Sequence, residues 1–427
     1  MYSTLNLRLG MQLNGWLRNY RNNLVQLSLI GFLWVFYACE STTVALKDDN
    51  VTQHEFKNLP VIGKIDGKKI FEGGFSGLHY IPGTQYEFYM VSDRGPNVDA
   101  SELTQSASKV LAFPEYGSRI LHVRLENNRL QILNYFTPKV NGHALSCRNP
   151  DLPGMENTES MISVDWSLNY EASEYGVDIE GITVDNEGMI WICEEYRPAL
   201  IRINPLTQEV VAHYSFGSPW EGIEHHPLDS VLRYRRPNRG FEGITTTPEG
   251  KIIAVLQSPL HIEGKNHSRY SRILELNPEN GEQHWYFFPM RGDTLNIRVK
   301  DWKLGAVAAL DNERLLVLEH ASKKGDNMKF VTEIRLDKEK RIAAGSGLVE
   351  FENAQSIKPL ESILRLDLRA LGWDAALEKA EGIAVINDST IAIINDNDYG
   401  VSSKDGDGVI YQTGDASFLW IIKLSEL

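Results

Sequence analysis

The chain is short of several features that would point to common functions. Three cysteines in 427 residues cannot build a disulfide framework, and no spacing among Cys39, Cys147 and Cys193 suggests a zinc site. Bases are outnumbered, with 43 Lys and Arg against 57 Asp and Glu, for a formal charge of −14. No basic run or aromatic-interleaved basic stripe offsets that surface, which excludes nucleic-acid binding. There is no HExxH, Walker A or dinucleotide fingerprint. Amphipathic helical patterns are scarce, and residues 361–380 (ESILRLDLRALGWDAALEKA) are the best helix candidate.

What is present begins with a leader. Residues 1–38 hold Arg8, Arg18 and Arg21 and no acid, so the remainder is three charges more negative than the whole chain. The apolar run Leu24–Ala38 is too short to span a bilayer comfortably and matches the h-region of an export signal. It ends at Ala38-Cys39 and a polar stretch, which resembles a lipoprotein signal, although Phe36 and Tyr37 are bulky for one. The expected layout is a signal peptide over 1–38, a polar tether over 39–57 and one folded domain over 58–427. Export to the periplasm or cell surface follows, with lipid anchoring to the outer membrane through Cys39 as the sole membrane link. Oligomeric state stays open.

The decisive pattern is an internal repeat. Five segments pair a short strand carrying Glu-Gly-Ile or a relative with a turn and a strongly apolar strand ending in polar or acidic residues. They are FSGL with EFYMVSDRGP, IEGI with MIWICEEYRP, FEGI with KIIAVLQSPL, LGAV with RLLVLEHASK, and AEGI with TIAIINDNDYG. The linking turns are rich in Asn, Asp, Gly and Pro, and further β-branched, aromatic runs follow each pair. The expected fold is all-β, a five- or six-bladed β-propeller of four-stranded antiparallel blades. A sixth blade over 138–178 or 340–380 stays open. An N-terminal strand near 58–65 is expected to complete the last blade and close the ring.

Inner strands of a propeller line its channel, so Glu180, Glu242 and Glu381 are expected at one radius and height, with glycines permitting close strand approach. The ends of the second strands add Asp93, Glu194, Glu195, Glu319, Asp396 and Asp398. Crowded carboxylates are costly to bury without a cation, and calcium, one or two ions, suits such an oxygen-rich set. Arg94, Arg197 and Arg239 are interleaved and offer planar forks to phosphate oxygens. Glu180, Glu242, Glu381 and these arginines are the expected catalytic set, and the nine acids the expected metal ligands. A small phosphorylated substrate is the implied partner. The fourth repeat has Gly305-Ala306-Val307 where an acid would stand, leaving the ring of carboxylates incomplete. Gly74-Phe75-Ser76-Gly77 lacks the spacing of a nucleophile elbow, and Ser76 reads as the repeat's glutamate position. The Asp405–Gly408 loop reads as a solvated turn, His225-His226 as a loop insertion and the tryptophans as core.

The strings GGFSGLHYIP…FYMVSDRGPN, DIEGITVDNEGMIWICEEYRPAL, NRGFEGITTTPEGKIIAVLQSPL, RLLVLEH and KAEGIAVINDSTIAIINDND resemble the phytase-like family, described as having esterase-like activity. The resemblance runs from about Gly73 to the C-terminus. It implies a propeller, an exported bacterial protein and phosphoester hydrolysis resting on the recurrent acids. The expected function is therefore a calcium-dependent phosphoesterase. The alternative is a non-catalytic, surface-tethered propeller that binds a ligand or partner around a structural calcium ion.

Overall fold

The computed structural model describes residues 50–151, 159–217, 219–292, 297–323, 326–373 and 379–425. The expected leader, with Cys39, lies outside them. No described helix is long and apolar enough to cross a membrane.

Of the six sheets with four or five strands among the described residues, five share one plan. Each begins with an inner strand: Phe75–Tyr80, Ile179–Val184, Phe241–Thr246, Trp302–Ala309 and Lys379–Asn387 for the first to fifth sheets. Each inner strand pairs antiparallel with a second strand (Glu87–Ser92, Ile190–Glu194, Ile252–Leu256, Arg314–Lys323 and Thr390–Asp396), and further strands follow outward. Inner strands lie against one another in the order first, second, third, fourth, fifth and back to first.

The packing follows from the two-residue period of a strand. In Ile252–Leu256 all five side chains are buried, because both faces are covered. Ile252, Ala254 and Leu256 join Trp191, Leu200 and Tyr214 of the second sheet in one cluster. Ile253 and Val255 turn the other way, to Trp302, Leu315 and Val317 of the fourth. Three more clusters fill the remaining gaps, fourth to fifth, fifth to first and first to second. Burying a large apolar side chain contributes about 1.5–3 kcal/mol, so each sheet depends on two neighbours. This is a β-propeller.

Two expectations are corrected here. The strand that joins the C-terminal Phe418–Lys423 is Val51–Glu55, inside the stretch read as tether, and Val61–Ile65 instead forms a hairpin with Lys68–Phe71. The helix candidate is a strand over Ser362–Asp367, the outer edge of the fourth sheet, followed by one 3₁₀ turn over Leu368–Leu371. Pairing with Asp326–Arg335 overrides the helical spacing of its leucines, a tertiary effect that propensity does not capture. The segments considered for a sixth blade add peripheral strands, Ser160–Ile162 and Asn169–Tyr170 to a small sheet and Ile342–Ala343 to the edge of the third sheet. Cys147 and Cys193 are buried and unpaired.

Candidate metal and anion site

At every inner strand the pairing register slips at the same place: between Phe75 and Gly77, Ile179 and Gly181, Phe241 and Gly243, Leu304 and Val307, and Ala380 and Gly382. The extra residue of these bulges is Ser76, Glu180, Glu242, Gly305-Ala306 and Glu381. A bulge releases its residue from the ladder's alternation and re-aims the side chain. The glycine that follows meets the neighbouring sheet's backbone. A Cβ on Gly77 would stand 2.8 Å from the Gly181 Cα, and one on Gly243 2.8 Å from the Ala306 Cα. One motif thus supplies both the projecting acid and the close approach.

The pairing register aligns two further layers at the same end. Immediately after the second strand's pairing partner come Asp93, Glu195, Gln257, His320 and Asp396. Two residues before each bulge stand Gly74, Asp178, Gly240, Lys303 and Lys379. The first, second and fifth sheets therefore bring most of the acids, and the fourth brings a lysine and a histidine.

Carboxylate oxygens of Asp93, Asp178 and Glu180 lie within 4.8 Å of one another, and so do those of Asp93, Asp396 and Asp398. Two unit charges at that spacing repel by roughly 3–4 kcal/mol at an effective dielectric of 20, so three anions cannot coexist there without a cation or protons. Burial accordingly pushes Asp93 well above the usual carboxylate range, and Asp178 adds to it. Glu180 is raised by burial and by Glu242, and Glu195 likewise. Burial and Glu242 raise Glu381 to about 8, and burial and Asp398 raise Asp396 to about 7. Glu180, Glu242 and Glu381 thus share one electrostatic environment.

The triads differ in how they are neutralised. The Lys379 ammonium donates to Asp396 and to Asp398, both at 2.7 Å, which holds Asp398 below the usual range. The Asp93–Asp178–Glu180 triad has the Arg94 guanidinium beside it, whose Nε stands 3.6 Å from Asp178, and Lys379 acts on Asp93 through space. Buried atoms with no hydrogen-bond partner among the described residues gather here: Asp178 Oδ1, Glu242 Oε2, Gln257 Oε1 and His320 Nε2. Buried polar atoms are almost always satisfied, so this group marks where an ion or water belongs. The residues fit a hard, oxygen-seeking cation.

Three of the expected site residues, Glu194, Glu319 and Arg197, are engaged elsewhere, and Arg94 is so in part. Glu194 accepts the backbone N–H groups of Arg197 (2.6 Å), Tyr196 (3.0 Å) and Asp178 (3.3 Å), which shapes the turn. Glu319 pairs with Arg291 at 2.9 Å and with Thr332. Each precedes the channel-facing residue by one, and a one-residue step along a strand changes faces. Arg197 stacks over Trp220, 5.2 Å from its ring centre. Arg94 donates to Asn149 and Tyr196 (2.8 Å each) and to Glu159 (3.2 Å). Arg239 donates once, to Ser258 at 3.1 Å, and its charge reaches Glu195 and Glu242. Gln257 Nε2 bridges Glu195 (2.9 Å) and Glu242 (2.5 Å).

Sequence reasoning missed Asp178, Lys303, Lys379, Gln257 and His320. Aligning the repeats column by column (VSD, CEE, VLQ, LEH, IND) would have found the last two.

Among solved structures, the chain is similar to the PQQ-bound form of aldose sugar dehydrogenase from Streptomyces coelicolor, at 11% identity, covering 87% of this chain and 98% of that one, with a TM-score of 0.34. It is also similar to virginiamycin B lyase from Staphylococcus aureus, at 11% identity, covering 87% and 99%, with a TM-score of 0.32. A stretch of 122 residues is 29% identical to an uncharacterized secreted protein of Arthroderma benhamiae, covering 24% of this chain and 24% of that protein, so the match spans about a quarter of the relative's length. The family model described as phytase-like, esterase-like activity of phytase, matches residues 71–399, which include every acid and base of the channel mouth, and the chain belongs to that family.

Proposed function

We propose that the protein is an exported, calcium-dependent hydrolase of phosphoric esters acting at the channel mouth of a closed, five-bladed propeller. The observation that carries this is the Asp93–Asp178–Glu180 triad, three carboxylates within 4.8 Å beside orphaned acceptors. Family membership supports the reaction class. The cyclic contact of five inner strands supports the ring, with Val51–Glu55 as its closing strand. The short apolar leader, together with the curated relative's description as secreted, supports export.

Asp93, Asp178 and Glu180 would hold the ion, and Asp396 and Asp398, already paired to Lys379, would hold a second only if that lysine moves. A calcium ion held there would supply charge to offset the acids, polarisation of a phosphoryl oxygen and a more acidic bound water. The chain's own groups do the rest. Glu381, which burial and Glu242 raise to about 8 in the calcium-free protein, is the acid that would give a proton to the leaving oxygen. Gln257 holds Glu195 and Glu242 in place, and Arg239 faces the developing charge on phosphorus. No step uses Ser76, which is buried and bonded to the Gly74 carbonyl at 3.4 Å.

The test is turnover of bis-p-nitrophenyl phosphate, p-nitrophenyl phosphate, phytate and carboxyl esters by the purified protein, with calcium and with a chelator. Calcium-dependent phosphate release lost in Glu180→Gln is the expected result. If every ester stays intact while calcium still binds, the protein is a binding propeller with a structural ion.

A further inference from the structure

The incomplete carboxylate ring has a chemical counterpart. The fourth sheet puts no acid into any of the three layers of the mouth, and where the second sheet has Asp178 and Glu195 it has Lys303 and His320. In the cyclic order of inner strands the fourth packs against the third and the fifth, whereas the first and second hold the Asp93–Asp178–Glu180 triad. Cations gather on this side. Arg239 presses on Lys303, and Lys303, Lys329 and Arg239 all bear on His320. Arg236 acts on Arg239 through space and donates its Nη1 to the Lys300 carbonyl at 3.0 Å.

Two groups here are uncommitted. Among the described residues the Lys303 ammonium makes no hydrogen bond or ion pair, although Glu242, Glu195 and Glu381 act on it through space. His320 is 7% exposed, its Nε2 has no partner, and its Nδ1 lies 4.0 Å from Glu381. That unpartnered Nε2 is free to offer an N–H. Arg239 has spent one of its five N–H donors, on Ser258. Of the other arginines of the sequence pattern, Arg94 donates to Asn149, Tyr196 and Glu159, and Arg197 lies over Trp220 with its Nε and Nη2 unpartnered among the described residues.

We propose that Lys303, with His320 and Arg239, forms an anion-binding wall that takes the non-bridging oxygens of a tetrahedral phosphoryl group, across the mouth from the carboxylate triad. The proposal rests on the hydrolase reading and deepens it, because it assigns the substrate's phosphoryl group a side of the mouth and makes Lys303 its main ligand. The competing role for Lys303 is that of a counter-ion to Glu242 and Glu381, and the two roles respond differently to substitution.

The experiment measures binding of inorganic phosphate and of calcium, separately, by calorimetry on the full chain and on Lys303→Met, Lys303→Arg and His320→Gln. Loss of a charged hydrogen-bond donor should weaken phosphate about 10- to 100-fold in Lys303→Met, with recovery in Lys303→Arg and a smaller loss in His320→Gln. Calcium should bind Lys303→Met at least as tightly as wild type, because a positive charge has gone. Unchanged phosphate affinity in Lys303→Met overturns the proposal, as does a parallel loss of calcium. If Lys303→Met does not fold, Arg239→Met carries the same expectation. Phosphate binding that needs Lys303 in a protein that turns over no ester sinks the hydrolase reading alone. Turnover with an unchanged KM in Lys303→Met sinks the wall alone.

Discussion

The five inner strands end in two different chemistries. At one end stand Asp93, Asp178, Glu180, Glu195 and their companions, with buried acceptors unmatched and carboxyl groups forced upward in pKa. At the other end neutral groups satisfy one another between sheets: Thr183 donates to Thr246 Oγ1 at 3.1 Å and accepts the Thr246 backbone N–H at 3.0 Å, and the Ala309 N–H donates to Thr245 Oγ1 at 3.1 Å. Strand, glycine and bulge recur alike in every sheet, so architecture does not explain the contrast. A ring that needed only to hold together would use threonine bridges at both ends. The charged end costs stability and is the end equipped for chemistry.

The largest effect is expected from a single change at the charged end. Glu180→Gln should lower calcium-dependent turnover about 100-fold or more, a magnitude common for loss of a preorganised charge, while the calcium-free fold becomes more stable. A variant less stable without calcium would mean that Glu180 is structural. Gly243→Ala, midway along the axis, should cost about 3 kcal/mol or prevent folding, since its Cβ would meet the Ala306 Cα, Gly305 oxygen and Val307 nitrogen, each at 2.8 Å. Urea denaturation measures it, and a neutral result would mean that the sheets can separate there. At the neutral end, Thr183→Val leaves the Thr246 N–H without its acceptor and should cost about 1–3 kcal/mol with turnover intact. Lost turnover would extend the site through the axis.

The smallest expected effect is one of pH. Glu381 and Asp396, raised to about 8 and about 7, bind protons more tightly folded than unfolded. Their contribution to stability is complete below the ordinary carboxylate pKa and fades as pH rises through about 7–8. Calcium-free protein should therefore lose thermal stability between about pH 5 and pH 8, and added calcium should flatten the slope. The opposite slope would show that the carboxylates are paired better than their surroundings indicate.

Much of this was legible in the sequence. The repeated Glu-Gly-Ile followed by an apolar strand marked the inner and second strands of each sheet, and the glycine already implied crowding. Less legible was which of two adjacent polar residues faces the channel. Glu194-Glu195 and Glu319-His320 look alike as strings, and only the pairing of Ile179 with Glu194 and of Leu304 with Glu319 settles the face. Asp178, Lys303 and Lys379 precede the apolar signature, where nothing in composition distinguishes them from loop. The strand at Ser362–Asp367 escaped for a different reason. Its half-exposed edge position tolerates a helical spacing of leucines, and only its partner strand decides the outcome.

The glycine ring has a consequence for traffic. In the five-bladed ring proposed above, backbones in contact at about 4–5 Å lie only about 4 Å from their common axis, a bore that admits little more than water. Beneath the acids the molecule is therefore a cul-de-sac. Whatever enters must back out by the doorway it came through, and a lingering product would stand in the way of the next arrival.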